Sequence, residues 1–196
     1  MASIDTEVRA AALLTLRRLP RSVDRDRILV KLARESDPDT RIAALEMLDG
    51  SHGREVAETF LDALLDPDPI VQRQGASWLV MQQQEAVAFL DTQRVTRALL
   101  AARTENGRFH IIQLIEFHVE SGGVYAFGPI IDVALEAEHP ALRQRSLELA
   151  FTAAQANPVT LPDVATISSY LEQPLDQETR QALRQIRDKI QERLRK

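Results

Sequence analysis

The chain has no cysteine, which excludes a disulfide framework and any Cys-ligated zinc or iron–sulfur site. Long apolar runs are also missing: none approaches the roughly 20 residues that a membrane-spanning helix requires. The opening residues, Met1 to Asp5, lack a basic segment followed by an apolar one, so they do not read as a secretory signal, and the expected location is the cytoplasm. Aromatic residues make up 5% of the chain and β-branched residues never alternate over a strand's length, which argues against a sheet. There is no GxGxxG or P-loop spacing, no HExxH pair and no nucleophile elbow, leaving a phosphate cradle, a zinc hydrolase site and a serine hydrolase site unsupported. What remains is rich in Ala, Leu, Glu, Gln and Arg, the good helix formers. The composition implies an all-α chain.

The net charge of −5 conceals a polarity along the sequence. Residues 1–34 carry eight basic and four acidic side chains, residues 35–178 nine and twenty-three, and residues 179–196 seven and two. An acidic middle repels a phosphate backbone and favours a basic partner. The alternative is an ordinary solvated surface.

Self-similarity is the strongest signal. Six segments share one frame: a small or apolar residue at position p, usually Arg at p+1, a small or apolar residue at p+4 and an apolar pair at p+7 and p+8. They begin at Val8, Thr40, Val71, Gly107, Leu142 and Thr179, so successive units are 32, 31, 36, 35 and 37 residues apart. That period is the length of one antiparallel helix pair. Asp37-Pro38, Asp66-Pro67 and His139-Pro140 precede three of the segments, and an Asp followed by Pro suits the unbonded N–H groups of a first helical turn. Each segment after the first follows another helical stretch: 24–34, 55–65, 84–103, 129–136 and 162–171. The expectation is a single domain over 1–196 with units near 4–19, 24–50, 55–81, 84–118, 124–155 and 162–195. The first unit begins directly with its second helix, and its incompletely capped end offers a surface for a homodimer.

The run Ser36-Asp37-Pro38-Asp39-Thr40-Arg41-Ile42-Ala43-Ala44-Leu45, with Asp66-Pro67-Asp68-Pro69-Ile70-Val71, resembles the HEAT repeat, especially the short bacterial type also found in phycobilin lyases. The units near 37, 66 and 139 match well; the unit at 107 lacks Asp-Pro, and the last is divergent. The resemblance implies an α-α superhelix, a right-handed HEAT-like solenoid of about six helix pairs, in which second helices line a concave face. It also implies that the repeat arginines Arg9, Arg41, Arg108, Arg143 and Arg180 are structural, pairing with acidic residues of adjacent units.

On the second helix of each unit, p, p+4, p+7 and p+8 fall in one narrow arc and are expected to be buried. Trp78, at p+7, is then a core residue, and Gly75, at p+4, marks a close helix crossing. The opposite positions, p+2, p+6 and p+9, nominate a binding face: Arg17, Ile42, Glu46, Arg73, Phe109, Gln113, Glu116, Glu148 and Phe151. Exposed Phe109 and Phe151, rimmed by Gln113, Glu116 and Glu148, would make a groove for a peptide or amphipathic helix. Equally, superhelical twist could bury both rings.

The segment from Glu120 to Pro129, containing Gly122-Gly123, Tyr125 and Phe127, interrupts the helical texture. It reads as an inter-repeat turn whose aromatics plug the core, the alternative being a mobile binding loop. His110 and His118 lie eight apart on one helix without metal-ligand spacing, so no metal and no cofactor is implied. Nor is any catalytic residue.

The functional reading is therefore a noncovalent protein-binding scaffold or adaptor working through the concave face, its partner basic or amphipathic and helical. An enzyme or enzyme subunit related to HEAT-type chromophore lyases is the alternative. Nucleic-acid binding stands last because of the acidic middle.

Overall fold

The helices beginning at Val23, Pro38, Pro69, Thr92, Glu105 and Gln177 each start where a Ser, Thr or Asp side chain accepts an otherwise unbonded amide of the first turn. The computed structural model describes residues 2–156 and 158–196, with side chains described at all of these except 2–7, 9, 10 and 161. Among them are twelve helices and no strand. They are α1 (Ala2–Arg18), α2 (Val23–Leu32), α3 (Pro38–Leu48), α4 (Arg54–Ala63), α5 (Pro69–Met81) and α6 (Gln83–Phe89). Then come α7 (Thr92–Ala101), α8 (Glu105–Glu120), α9 (Phe127–Glu136), α10 (Pro140–Ala156), α11 (Leu161–Leu171) and α12 (Gln177–Leu194). No helix among the described residues is long and apolar enough to cross a membrane.

The chain divides into two compact units, 1–90 and 91–196. In the first, α3 pairs with α2 and α5 with α4; α1, α3 and α5 form one layer and α2, α4 and α6 the other. In the second, α8, α10 and α12 form one layer and α7, α9 and α11 the other, with α7–α8, α9–α10 and α11–α12 as pairs. Each unit is thus a short α-solenoid of stacked helix pairs. We call the α1, α3, α5 and α8, α10, α12 layers the B layers.

The repeat frame is realised in the caps. Three residues before p, a side chain accepts the backbone N–H of p: Asp37 for Thr40, Asp68 for Val71, Thr104 for Gly107 and Asp176 for Thr179. Asp37 and Asp176 also accept the hydroxyl of the threonine they cap. The cap of α5 differs from expectation: it is Asp68, with Pro69 opening the helix, not Asp66-Pro67. In the run Asp-Pro-Asp-Pro both pairs are chemically competent, and only the second stands three residues before Val71. Asp66 is thereby freed for another task, accepting the N–H of Asp68 and the guanidinium of Arg41.

A second difference concerns the stretch 84–103, expected to be one helix. It is two, α6 and α7, parted at Leu90 and Asp91, where Leu90 is extended and the Asp91 carboxylate accepts the N–H of Arg94 to start a new helix.

Burial follows the frame. In α3, α5, α8, α10 and α12 the residues at p, p+4, p+7 and p+8 are buried, apart from Met47 and Arg187, which are half-buried. In α1 the same stripe is corrected: Val8, Ala12 and Thr15 are exposed and only Leu16 is buried, because α1 packs chiefly against the single neighbour α3. In the first unit the Trp78 ring, 2% exposed, stacks on Phe60 with centroids 4.7 Å apart. Gly75 makes that contact attainable: a Cβ there would stand 2.7 Å from the carbonyl oxygen of Phe60, so α5 could not approach α4 as closely with any other residue.

Carbonyls at and just beyond helix ends are also collected by arginines. Arg25, 7% exposed, donates to the carbonyls of Leu16 and Met47, and Arg21 to those of Asp49 and Gly50. Arg193 does the same for Ala154 in the second unit. Glutamates serve the opposite ends: Glu85 accepts the N–H of Gly53 at the start of α4, and Glu105 accepts those of Glu138 and His139 before α10.

Candidate functional site

The p+1 residues form a regular set. Arg41 donates to the carbonyls of Glu35 and Ser36, Arg108 to that of Ala102, Arg143 to that of Ala137 and Arg180 to that of Gln173. Gln72, which stands where the other helices have arginine, donates its side-chain amide to the carbonyl of Asp66. Each therefore braces the loop before its own helix. The arginines also reach forward: Arg41 to Asp66 at 2.8 Å, Arg108 to Glu136 at 2.9 Å and Arg143 to Asp176 at 3.8 Å. Arg41 and Asp66 are 11% and 13% exposed, so this pair is far less screened by solvent than an ordinary surface ion pair. The side chain of Arg9 lies outside the described residues.

Opposite the buried stripe, the nominated residues are exposed or half-buried. In the first unit Arg17, Glu46 and Arg73 are exposed and Ile42 is half-buried. Arg17 and Glu46 border a groove of about 280 Å3 between α1 and α3, floored by Leu13, Ala43 and Met47. In the second unit Phe109, Gln113, Glu116 and Phe151 are half-buried and Glu148 is exposed. The structure does not bring Phe109 and Phe151 into one groove. Phe109 lies between α8 and α10, beside Glu105, His139 and Leu142. Phe151 lies one helix pair further on, between α10 and α12, with Leu147, Ile186 and Ala182.

The surroundings of the two rings also differ. Arg145 places its guanidinium 5.4 Å from the centre of the Phe109 ring and pairs with Glu116, so this aromatic already has a cation over its face. The sequence reading passed over Arg145, which sits at p+3, between the buried stripe and the outward positions. Glu148, beside Phe151, accepts a neutral amide from Gln144. Gln113 bonds to His110.

Between the end of α8 at Glu120 and the start of α9 at Phe127 the chain turns, with its aromatic residues packed inward. Gly122 has φ +89°, and Gly123 lies so close to the His118 carbonyl that a Cβ would meet it at 2.9 Å. Tyr125 and Phe127 are buried. The Tyr125 hydroxyl meets Nδ1 of His118, also buried, so this histidine belongs to the core. Burial, with the charge of Asp91 adding to it, pushes the Tyr125 phenol up. Tyr170 is shifted the same way, first by burial and then by Asp132, which accepts its hydroxyl at 2.7 Å. Among the described residues no group of three or more His, Asp or Glu side chains is placed to hold a metal ion.

No known family model matches the chain, and no curated protein matches it. Among solved structures, a designed armadillo repeat protein is similar over 92% of both chains, at 12% sequence identity and a TM-score of 0.43.

Proposed function

We propose that the protein is a noncovalent scaffold that binds other proteins across the B layers of its helix-pair units. The observation that carries this reading is the succession of grooves between neighbouring B helices. Each has an apolar floor and charged or amide residues along its edges, the composition that suits a side chain of another protein better than a small polar metabolite. The nominated residues Arg17 and Glu46 border the groove of the first unit, and Phe151 and Glu148 that of the second. The HEAT-like character of the repeat adds that such a face would be the concave one. The acidic middle of the sequence supports a protein partner over a nucleic acid, since carboxylates at the groove edges repel phosphate.

The test is affinity capture from the source lysate with the wild type and two variants, each shown by circular dichroism to be folded. One variant carries Arg17→Glu and Glu46→Arg, the other Phe109→Asp and Phe151→Asp. A partner retained by the wild type and lost by one variant supports the B-layer reading and names the unit responsible. Equal retention by all three overturns it.

A further inference from the structure

Two successive grooves of the second unit are lined by different side chains. Beside the α8–α10 groove stands Arg145, the p+3 residue of α10, whose guanidinium lies over Phe109 and pairs with Glu116. The p+3 residue of α12 is Ala182, which ends at Cβ. The α8–α10 groove is open over about 360 Å3 beside Glu105 and His139, with Arg145 outside the lining of that opening, and the α10–α12 groove is open over about 380 Å3. Its floor is Leu147, Phe151 and Ile186, its edges carry Glu148 and Glu178, and no basic residue lines it. Elsewhere in this unit acidic residues beside B helices meet arginines of the chain: Glu116 with Arg145, Glu136 with Arg108, Asp176 with Arg143. The α10–α12 groove thus has an aromatic face, an apolar wall and carboxylates, and it lacks only the cation.

We infer that the α10–α12 groove is a docking slot for an arginine side chain of a partner protein, whose guanidinium meets Phe151 and the groove carboxylates as Arg145 meets Phe109 and Glu116 within the chain. This rests on the scaffold reading and gives the chemistry of the partner. The arginine stem lies along Leu147 and Ile186, and the planar head stacks on Phe151 while its N–H groups reach Glu148 and Glu178. A guanidinium is more weakly hydrated than an ammonium and stacks on aromatic faces, so arginine is preferred to lysine. An anionic ligand is repelled by the two carboxylates.

The experiment titrates the full, isotopically labelled chain with N-acetyl-arginine amide and follows backbone amide resonances. Saturable shifts centred on 144–152 and 178–186 are expected. The matching citrulline amide, equal in shape and uncharged, is expected to bind about tenfold more weakly or worse, the loss of a cation–π contact together with a charge pair. Ala182→Arg, which copies Arg145, abolishes the shifts while the helical signal is kept. Glu178→Gln, an exposed change that leaves the core untouched, weakens binding and serves if Ala182→Arg fails to fold. Citrulline binding as tightly as arginine, shifts lying elsewhere, or undiminished binding by folded Ala182→Arg each overturns the slot. A captured protein retained equally by wild type and Ala182→Arg, but lost by the Phe109→Asp/Phe151→Asp variant, overturns the slot and leaves the scaffold standing. Saturable arginine binding in the groove, with every captured protein retained equally by wild type and both B-layer variants, overturns the scaffold reading and leaves the groove's chemistry standing.

Discussion

Arg41 and Asp66 stand at the start of α3 and just before α5, and the Nε of one lies 2.8 Å from a carboxylate oxygen of the other in nearly full burial. The same guanidinium holds the carbonyls of Glu35 and Ser36, so one side chain ties its own loop to the next pair. Truncation strands the Asp66 charge. Arg41→Ala is expected to cost about 2–4 kcal/mol, in the range for breaking a largely buried pair. Arg41→Gln is expected to cost less, because Gln72 makes the corresponding carbonyl bond one pair later. Urea denaturation midpoints of the two variants check the order, and equal losses would refute it.

Gly75→Ala tests the α4–α5 crossing. The new methyl would lie 2.7 Å from a backbone oxygen that no rotamer change can move. The expected destabilisation is about 1–3 kcal/mol, as for overpacking of a core. Because Trp78 stacks on Phe60 beside that oxygen, its fluorescence maximum should shift in the folded state, which a change confined to the unfolded chain would not produce.

Both tyrosines of the chain, Tyr125 and Tyr170, resist ionisation in the folded state, the first chiefly through burial and the second through burial and Asp132. Folded protein should therefore show little tyrosinate absorbance at about pH 10–11, where a free tyrosine ionises. The sign of the stability effect follows: the raised value favours the neutral phenol in the fold, so the contribution is complete below the ordinary tyrosine value and is lost as pH rises above it. Tyr170→Phe should flatten the alkaline decline in thermal midpoint. A wild-type midpoint that rises through this range would contradict the argument.

Glu105 is held below the ordinary carboxylate range by the backbone N–H of His139 and, after it, that of Glu138, with partial desolvation opposing. Its stabilising effect is present above the ordinary glutamate value and lost as pH falls through the lowered one. Glu105→Gln should shrink the acid-side loss of stability and speed exchange of the amides of residues 138 and 139. Unchanged exchange would remove Glu105 from the start of α10.

The repeat frame was legible because caps and buried stripe obey local rules: a side chain three residues before p, and a spacing of four and three along one helix face. The choice of Asp68 over Asp66 obeys the same local rule, since only Asp68 stands three residues before Val71. The break at Leu90 carries a weaker signal, since Asp91 followed by Thr92 can sit inside a helix or start one. The groove chemistry was less accessible. Arg145 and Glu116 are 29 residues apart and meet only because α8 and α10 adopt one register, which a period along a single helix does not specify. Phe109 stands at p+2 and Phe151 at p+9, and what lies over each ring is set by the following B helix, which the sequence of its own helix does not specify.

The p+1 side chains have a consequence for how such a chain can change its length. In five helices, with either arginine or glutamine, that side chain bonds a carbonyl in the loop just before its own helix. The segment that gives a B helix its starting geometry is thereby self-sufficient, and one loop with its following helix carries its own fastening. Copying or excising a whole helix pair breaks ties at the seam and nowhere else. The unit of fastening in this fold is therefore a cassette running from one loop to the next.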